Sequence, residues 1–311
     1  MFGIIGVTLL AILAFIFAAS FGIWTATTDV VTSADSSQAT AAVATAAPSA
    51  APWLVDPAWL SANLDDPNLR IVALMPETDF DKGHIPGAVQ VDYPQLNLGD
   101  TSSTAIATWE SGMDALLTSL GISNDSTVVV YDNGTHYAPR LWWVLQERSH
   151  QQPVGVLDGG LAAWQASGGD VETETAEAKP AATPYAGSTN AVVLATKADV
   201  LASLDDSSVV IVDARTAEEY AAGHIPGAIN IPFLANYAPG SDGGLLPVDE
   251  LSKLYIDAGV TPDKQVIVYC STGVRSASNY FALRWLGYPN ARLYTGSWAE
   301  WSADSSLPVE K

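Results

Sequence analysis

"GVTPDKQVIVYC", Gly259–Cys270, and "GISNDSTVVVYD", Gly121–Asp132, are two spellings of one pattern. Each opens on glycine, passes through a polar turn, runs into β-branched residues and closes on a tyrosine followed by one polar or reactive residue. A short apolar, β-branched run bounded by turn formers reads as a strand buried on both faces. The pairing extends outward from there. "GHIPGA" occurs at Gly83–Ala88 and again at Gly223–Ala228. "LDDPNLRIVAL" (Leu64–Leu74) parallels "LDDSSVVIVDA" (Leu204–Ala214), and "GGLAAW" (Gly159–Trp164) parallels "GSWAEW" (Gly296–Trp301). The offset, about 140 residues, is too long for a solenoid repeat and suits a duplicated domain.

Within the second copy "SVVIVDA" and "QVIVYC" read as strands, while "PVDELSKLYIDAG" and "SASNYFALRWLGY" read as helices. Such alternation predicts an α/β fold in each copy: a parallel sheet with helices on both faces. The expected domains are 53–170 and 191–311. The polar, proline-containing stretch 171–190, "VETETAEAKPAATPYAGSTN", is the expected linker.

The N-terminus has another character. The first 24 residues carry no charged side chain and are long enough to cross a bilayer. They read as a transmembrane anchor or as a cleaved signal peptide with Ala18-Ala19-Ser20 at the cleavage site. The expected location is extracytoplasmic, membrane-anchored or secreted. Residues 25–52, rich in Ala, Ser, Thr and Pro, read as a flexible tether. The chain has 34 acidic against 13 basic side chains, a formal net charge of −21. Such a surface repels phosphate backbones and argues against nucleic-acid binding.

Cys270 is the sole cysteine, so no internal disulfide explains it. It follows the strand "QVIVY" at the carboxyl edge of the sheet, where open α/β sheets bind ligands. In "YCSTGVRS", Tyr269–Ser276, the loop Ser271, Thr272, Gly273, Val274 and Arg275 runs straight into a helix. A glycine turn at a helix N-terminus aims several N–H groups inward and favours an anion at the centre, including a cysteine thiolate. Arg275 adds positive charge at the loop's far end. The bland alternative is a buried cysteine beside a helix-capping Ser276. In the first copy the matching position is Asp132, which cannot carry sulfur. There the triplet Asp213-Ala214-Arg215 is also replaced, by "ALMPE", Ala73–Glu77.

"DAR…EEYAAGHIPGA" (Asp213–Ala228), "YCSTGVRS" and "GSWAEW" together resemble the tandem-domain rhodanese sulfurtransferases, over roughly residues 53 to 311. "YAPRLWW", Tyr137–Trp143, is similar to the stretch after the blank loop of such proteins. The resemblance implies two-step transfer. Cys270 takes a sulfane sulfur from a donor, becomes a persulfide and passes the sulfur to a thiophilic acceptor such as cyanide or a thiol. It implies no metal and no organic cofactor. It also implies that the first domain walls the cleft, with Tyr137 as an aromatic surface or as ordinary packing.

Arg215 and Asp213 stand at the same sheet edge as Cys270. They read equally as a clamp for the donor's sulfonate or carboxylate and as an internal brace. His84 and His224 sit in matched turns, which favours a turn-forming role. By resemblance His84 stays a candidate for proton transfer. Cysteine phosphatases cradle phosphate in a similar loop with five residues between Cys and Arg; here "STGV" gives four. Arg275 favours thiosulfate as the donor, while by resemblance within the family the small polar Ser271 and Thr272 imply 3-mercaptopyruvate. A non-catalytic sulfur carrier or binding module is the further alternative.

Overall fold

The β-branched runs gather into two sheets. A computed structural model describes residues 53–174, 179–240 and 243–311; the expected anchor or signal segment and the tether, 1–52, lie outside the described residues. Among the described residues no helix is long and apolar enough to cross a membrane.

The first copy runs β1 (Leu54–Val55), α1 (Pro57–Asn63), β2 (Leu69–Leu74), α2 (Glu77–Phe80), β3 (Val89–Val91), α3 (Ser103–Ser119), β4 (Thr127–Tyr131), α4 (Pro139–Glu147), β5 (Val154–Leu157) and α5 (Gly160–Ala166). The second runs β6 (Leu194–Ala195), α6 (Lys197–Ala202), β7 (Val209–Asp213), α7 (Ala217–Ala222), β8 (Ile229–Asn230), α8 (Val248–Asp257), β9 (Gln265–Tyr269), α9 (Ser276–Trp285), β10 (Ala291–Tyr294) and α10 (Ser297–Ser302). The sheet orders are β1-β5-β4-β2-β3 and β6-β10-β9-β7-β8. Every neighbouring pair is parallel.

The register repeats as well. Ile71 lies opposite Val129 in the first sheet and Ile211 opposite Ile267 in the second. β4 and β9 are the central strands, and their residues Val128–Tyr131 and Val266–Tyr269 are buried. Both faces are covered, which is why the runs read as continuous rather than alternating. Asp132 and Cys270 therefore leave their sheets from the middle of the carboxyl edge.

Each sheet has an outer core of its own: Leu60, Phe80 and Trp164 in the first copy, Val200, Tyr269 and Trp301 in the second. The inner faces share a single core. Leu96, Trp109, Trp142 and Trp143 of the first copy join Leu251, Tyr255, Tyr280 and Phe281 of the second. Its centre is α4 against α9, the two helices that follow the two loops. Trp142 meets Phe281 edge-on at 5.0 Å between ring centres. Packing on several sides buries α4 almost all round, Arg140 and Glu147 included. The described part of the linker belongs to the first copy's surface. Ala181 N donates to Thr118 O (2.9 Å), Tyr185 N to Thr118 Oγ1 (2.9 Å) and Asn190 N to Glu147 O (2.7 Å).

Candidate active site

β9 ends at Tyr269, and Cys270 begins the loop that closes at the first residue of α9, Ser276. Cys270 is fully buried. Gly273 sits at φ +82°, a left-handed conformation costly for any residue with a Cβ. That turn brings its N–H back onto Cys270 Sγ at 3.2 Å. Space demands glycine too: a Cβ there would stand 2.7 Å from Thr295 O and 2.9 Å from Thr295 Oγ1. The first-turn N–H groups of α9 have no acceptor within their own helix, so the loop offers donors and positive potential at the sulfur. Arg275 occupies the position before α9 in helical geometry, with no side-chain cap. Ser276 is therefore not a cap; its hydroxyl is buried with no hydrogen-bond partner among the described residues.

The segment after β10 pins the cysteine from behind. Cys270 N donates to Ser297 Oγ at 3.2 Å, and Ser297 Oγ donates to Tyr294 O at 2.8 Å. Trp298 N and Ala299 N donate to Cys270 O and Ser271 O, both at 3.0 Å. Ser297 holds φ +55°, where the first copy has Gly160 at φ +54°. A serine in left-handed backbone costs about 1–2 kcal/mol. Its two hydrogen bonds offset that strain and fix the cysteine's backbone. "GSWAEW" carried this signal as a departure from the glycine of "GGLAAW", but the spacing alone did not mark Ser297 as part of the site.

Arg275 is not free to meet a donor. Its Nη1 and Nη2 donate to Glu219 Oε2 and Oε1, both at 2.8 Å, and Nη2 also donates to Ser271 Oγ at 2.6 Å. Ser271 Oγ in turn donates to Glu219 Oε1 at 3.2 Å. Hydrogen bonds from Arg275, working against partial burial, hold the Glu219 carboxyl down at about 2. The expected open cation at the loop's end is thus a compensated pair. Glu219 escaped notice because, beside Glu218 in the first turn of α7, it reads as an ordinary solvated acid at a helix start.

Arg215 and Asp213 answer to the second of their two readings. Asp213 is fully buried and Arg215 nearly so. Arg215 Nη2 donates to Asp213 Oδ2 (2.6 Å) and Gly223 O (2.7 Å), and Nε spans both Asp213 oxygens at 3.1 Å. The guanidinium lies 4.6 Å over the Trp298 ring. This is a brace between β7, the "GHIPGA" turn and α10, and it occupies the guanidinium fork.

His84, the proton-transfer candidate, lies in the first "GHIPGA" turn. It is buried, stacked on Phe80 at 3.7 Å, with Nδ1 2.9 Å from Phe80 O and Nε2 3.5 Å from Glu172 Oε1. None of these contacts reaches the Cys270 loop. His224 repeats the arrangement with Tyr220 and Glu310. In both copies a glutamate closes the turn, accepting from Gly87 N or Gly227 N.

The remaining expected residues lie in the loop or around it. Thr272 is exposed at the loop's tip and Val274 is buried. Tyr137, whose hydroxyl burial pushes upward in pKa, meets Tyr93 edge-on at 5.3 Å and Phe233 at 6.4 Å. The Arg275 guanidinium is 5.9 Å from the Phe233 ring. Tyr137 is therefore part of an aromatic rim contributed by both copies beside the loop.

The blank loop contains its own anion. Asp132 Oδ1 accepts from Gly134 N at 2.9 Å and Oδ2 from Ala138 N at 2.8 Å. A carboxylate thus takes up donors of the kind that Gly273 turns toward sulfur in the second copy. Across the interface Ser278 Oγ of α9 donates to His136 O at 2.7 Å.

With this geometry in hand, the likenesses are informative. The rhodanese-like domain model matches residues 56–167 and again 196–304. The chain is 34% identical over 285 residues to 3-mercaptopyruvate sulfurtransferase of Escherichia coli (strain K12), covering 83% of this chain and 98% of that one. It is 33% identical over 268 residues to thiosulfate sulfurtransferase of Pseudomonas aeruginosa, covering 83% and 97%. The crystal structure of SseA from E. coli, a 3-mercaptopyruvate sulfotransferase, superposes with a TM-score of 0.68 at 32% identity, over 79% of this chain and 99% of that one. Both copies match the domain model and the curated relatives are covered almost end to end: the chain belongs to the rhodanese family, as a tandem of two rhodanese-like domains.

Proposed function

We propose that the protein is a sulfurtransferase that moves a sulfane sulfur from thiosulfate, through Cys270, to cyanide or a thiol. The observation that carries this reading is the Gly273 N–H set 3.2 Å from Cys270 Sγ in a four-residue loop at a helix N-terminus. The Cys270 thiolate attacks the outer sulfur of thiosulfate. The S–S bond breaks, and sulfite leaves with the electron pair. The persulfide anion then sits among the loop's donors, which stabilise each anion in turn. Cyanide or a thiolate attacks the outer sulfur of the persulfide, a new bond to sulfur forms, and the Cys270 thiolate departs as the leaving group. Electrons balance without an external oxidant or reductant. The loop residues Ser271, Thr272, Gly273, Val274 and Arg275 shape this cradle. Catalysis belongs to 191–311, while 53–170 supplies the opposing wall and 171–190 joins them.

Thiosulfate as donor is supported by the likeness to the Pseudomonas aeruginosa enzyme. One observation favours 3-mercaptopyruvate as a second reading: Glu219 compensates Arg275, which lowers the attraction for a dianion. The test is thiocyanate formation from thiosulfate and cyanide by the full chain, with 3-mercaptopyruvate as the parallel donor and Cys270→Ser as control. Turnover that vanishes in the control is expected. Absence of product with both donors overturns the reading, and a much higher kcat/KM for 3-mercaptopyruvate reassigns the donor. The uncharged segment 1–24 supports an extracytoplasmic site of action, tested by fractionation of cells producing the full chain; recovery in the cytosol alone overturns it.

A further inference from the structure

Arg140 is a fully buried cation on α4, in the domain that has no cysteine. Among the described residues no carboxylate lies within ion-pair distance of its guanidinium. Nη2 donates to Leu96 O at 2.6 Å and to Thr295 Oγ1 at 3.1 Å. Nε and Nη1 have no hydrogen-bond partner among the described residues. The Trp143 ring lies 4.7 Å from the guanidinium carbon. A buried charge with open donors is expensive, and such groups persist where an opposite charge or a function compensates them.

The contacts lead across the domain interface to the sulfur. Arg140 bonds Thr295. Thr295 abuts Gly273 so closely that a Cβ there has no room, and Gly273 N–H points at Cys270 Sγ. Two residues beyond Thr295, Ser297 holds the Cys270 N–H. The charged and titratable groups around the Cys270 loop are Arg275 from its own domain and Arg140 and Tyr137 from the other. Arg275 is engaged with Glu219. Arg140 faces Glu147 of its own helix and Cys270, and both oppose the pull of burial, which brings the guanidinium down to about 10.

We propose that Arg140 is a positioning residue for sulfur transfer: a fixed cation lent by the blank domain, which stabilises the thiolate and persulfide of Cys270 and locks Thr295 over the Gly273 turn. The blank domain then contributes charge to the chemistry as well as a wall to the cleft. The anion formed on Cys270 is the missing counter-charge of Arg140, so the two groups stabilise each other. This deepens the sulfurtransferase reading and rests on it for its purpose, but the test needs no sulfur donor, so the two fail separately.

The experiment is alkylation of Cys270 by iodoacetamide in the full chain, followed against pH in wild type, Arg140→Met and Arg140→Lys, with near-UV circular dichroism to establish folding. Arg140→Met is expected to slow alkylation at pH 7 by about tenfold and to raise the pH midpoint by roughly one unit. Arg140→Lys, which keeps the charge and loses the fork, is expected to retain most of the wild-type midpoint. A folded Arg140→Met protein with an unchanged pH profile overturns the proposal, since a purely structural arginine moves stability alone. If Arg140→Met does not fold, Arg140→Gln, which keeps a donor for Leu96 O and Thr295 Oγ1 and loses the charge, takes its place, and an unchanged alkylation profile in that folded variant overturns the proposal.

Discussion

Replacing Gly273 by alanine isolates what the cysteine loop requires of its glycine. Two costs arise. The backbone conformation at φ +82° costs an L-residue about 1–2 kcal/mol. The new methyl would also stand 2.7, 2.8 and 2.9 Å from Thr295 O, Cα and Oγ1. Two of these are backbone atoms and the third is bonded to Arg140, so relief requires moving the segment that holds Cys270. Overpacking of that kind costs about 1–3 kcal/mol. The sum, roughly 2–5 kcal/mol, corresponds to a Tm lower by about 3–8 °C for a protein of this size. Gly259 provides the control: it has the same φ of +82° with nothing within 4 Å of its absent Cβ. Gly259→Ala therefore reports the backbone term alone, a Tm change of only a few degrees. Displacing the Gly273 N–H from sulfur removes one donor to the reacting anion, worth about 10²-fold in turnover. Thermal denaturation and steady-state thiocyanate formation on both variants make the comparison. Equal Tm losses in the two variants, with turnover unchanged in Gly273→Ala, refute the reasoning.

Other perturbations follow from the same geometry. Ser297→Ala leaves the buried Cys270 N–H without its acceptor while keeping the left-handed strain, so a loss of about 1–3 kcal/mol is expected in denaturant unfolding, with slower turnover. Glu219→Gln removes the charge that compensates Arg275; the partly buried pair is worth about 1 kcal/mol, so KM for thiosulfate should fall roughly fivefold in steady-state assays. In the wild type the depressed Glu219 carboxyl adds stability above its ordinary value of 4.5, and that contribution is lost as pH falls towards 2. The Tm gap between wild type and Glu219→Gln should therefore close over that window. Glu147 runs the opposite way. Burial, with Glu110 and Asp114 adding to it, pushes its carboxyl up to about 8. Its contribution is full below its ordinary value of 4.5 and fades as pH rises to 8, so Glu147→Gln should raise Tm at pH 8 more than at pH 5.

The two sheets were legible because each central strand is buried on both faces and spells this in β-branched residues, twice. The candidate nucleophile was legible because Cys270 and Asp132 occupy one position of the repeat. What stayed hidden depends on partners far away in the chain. Arg275 reads as an open cation until α7 sets Glu219 against it. From their place at the sheet edge Asp213 and Arg215 read equally as a donor clamp and as a brace; only the fold shows Gly223 O and Trp298 filling the fork. Arg140 sits in an apolar helix segment, and its surroundings combine Leu96 and Trp143 of its own copy with Thr295 of the other. Ser297 differs from Gly160 by one side chain, and nothing local announces that this serine holds left-handed backbone for the sake of the cysteine.

The shared inner core bears on why a copy without chemistry persists. Trp142 and Trp143 from one half and Tyr280 and Phe281 from the other fill the same space. A large apolar seam of this kind resists hinge motion between domains. Excising the silent half would leave those aromatics facing water, beside a cysteine loop stripped of Arg140.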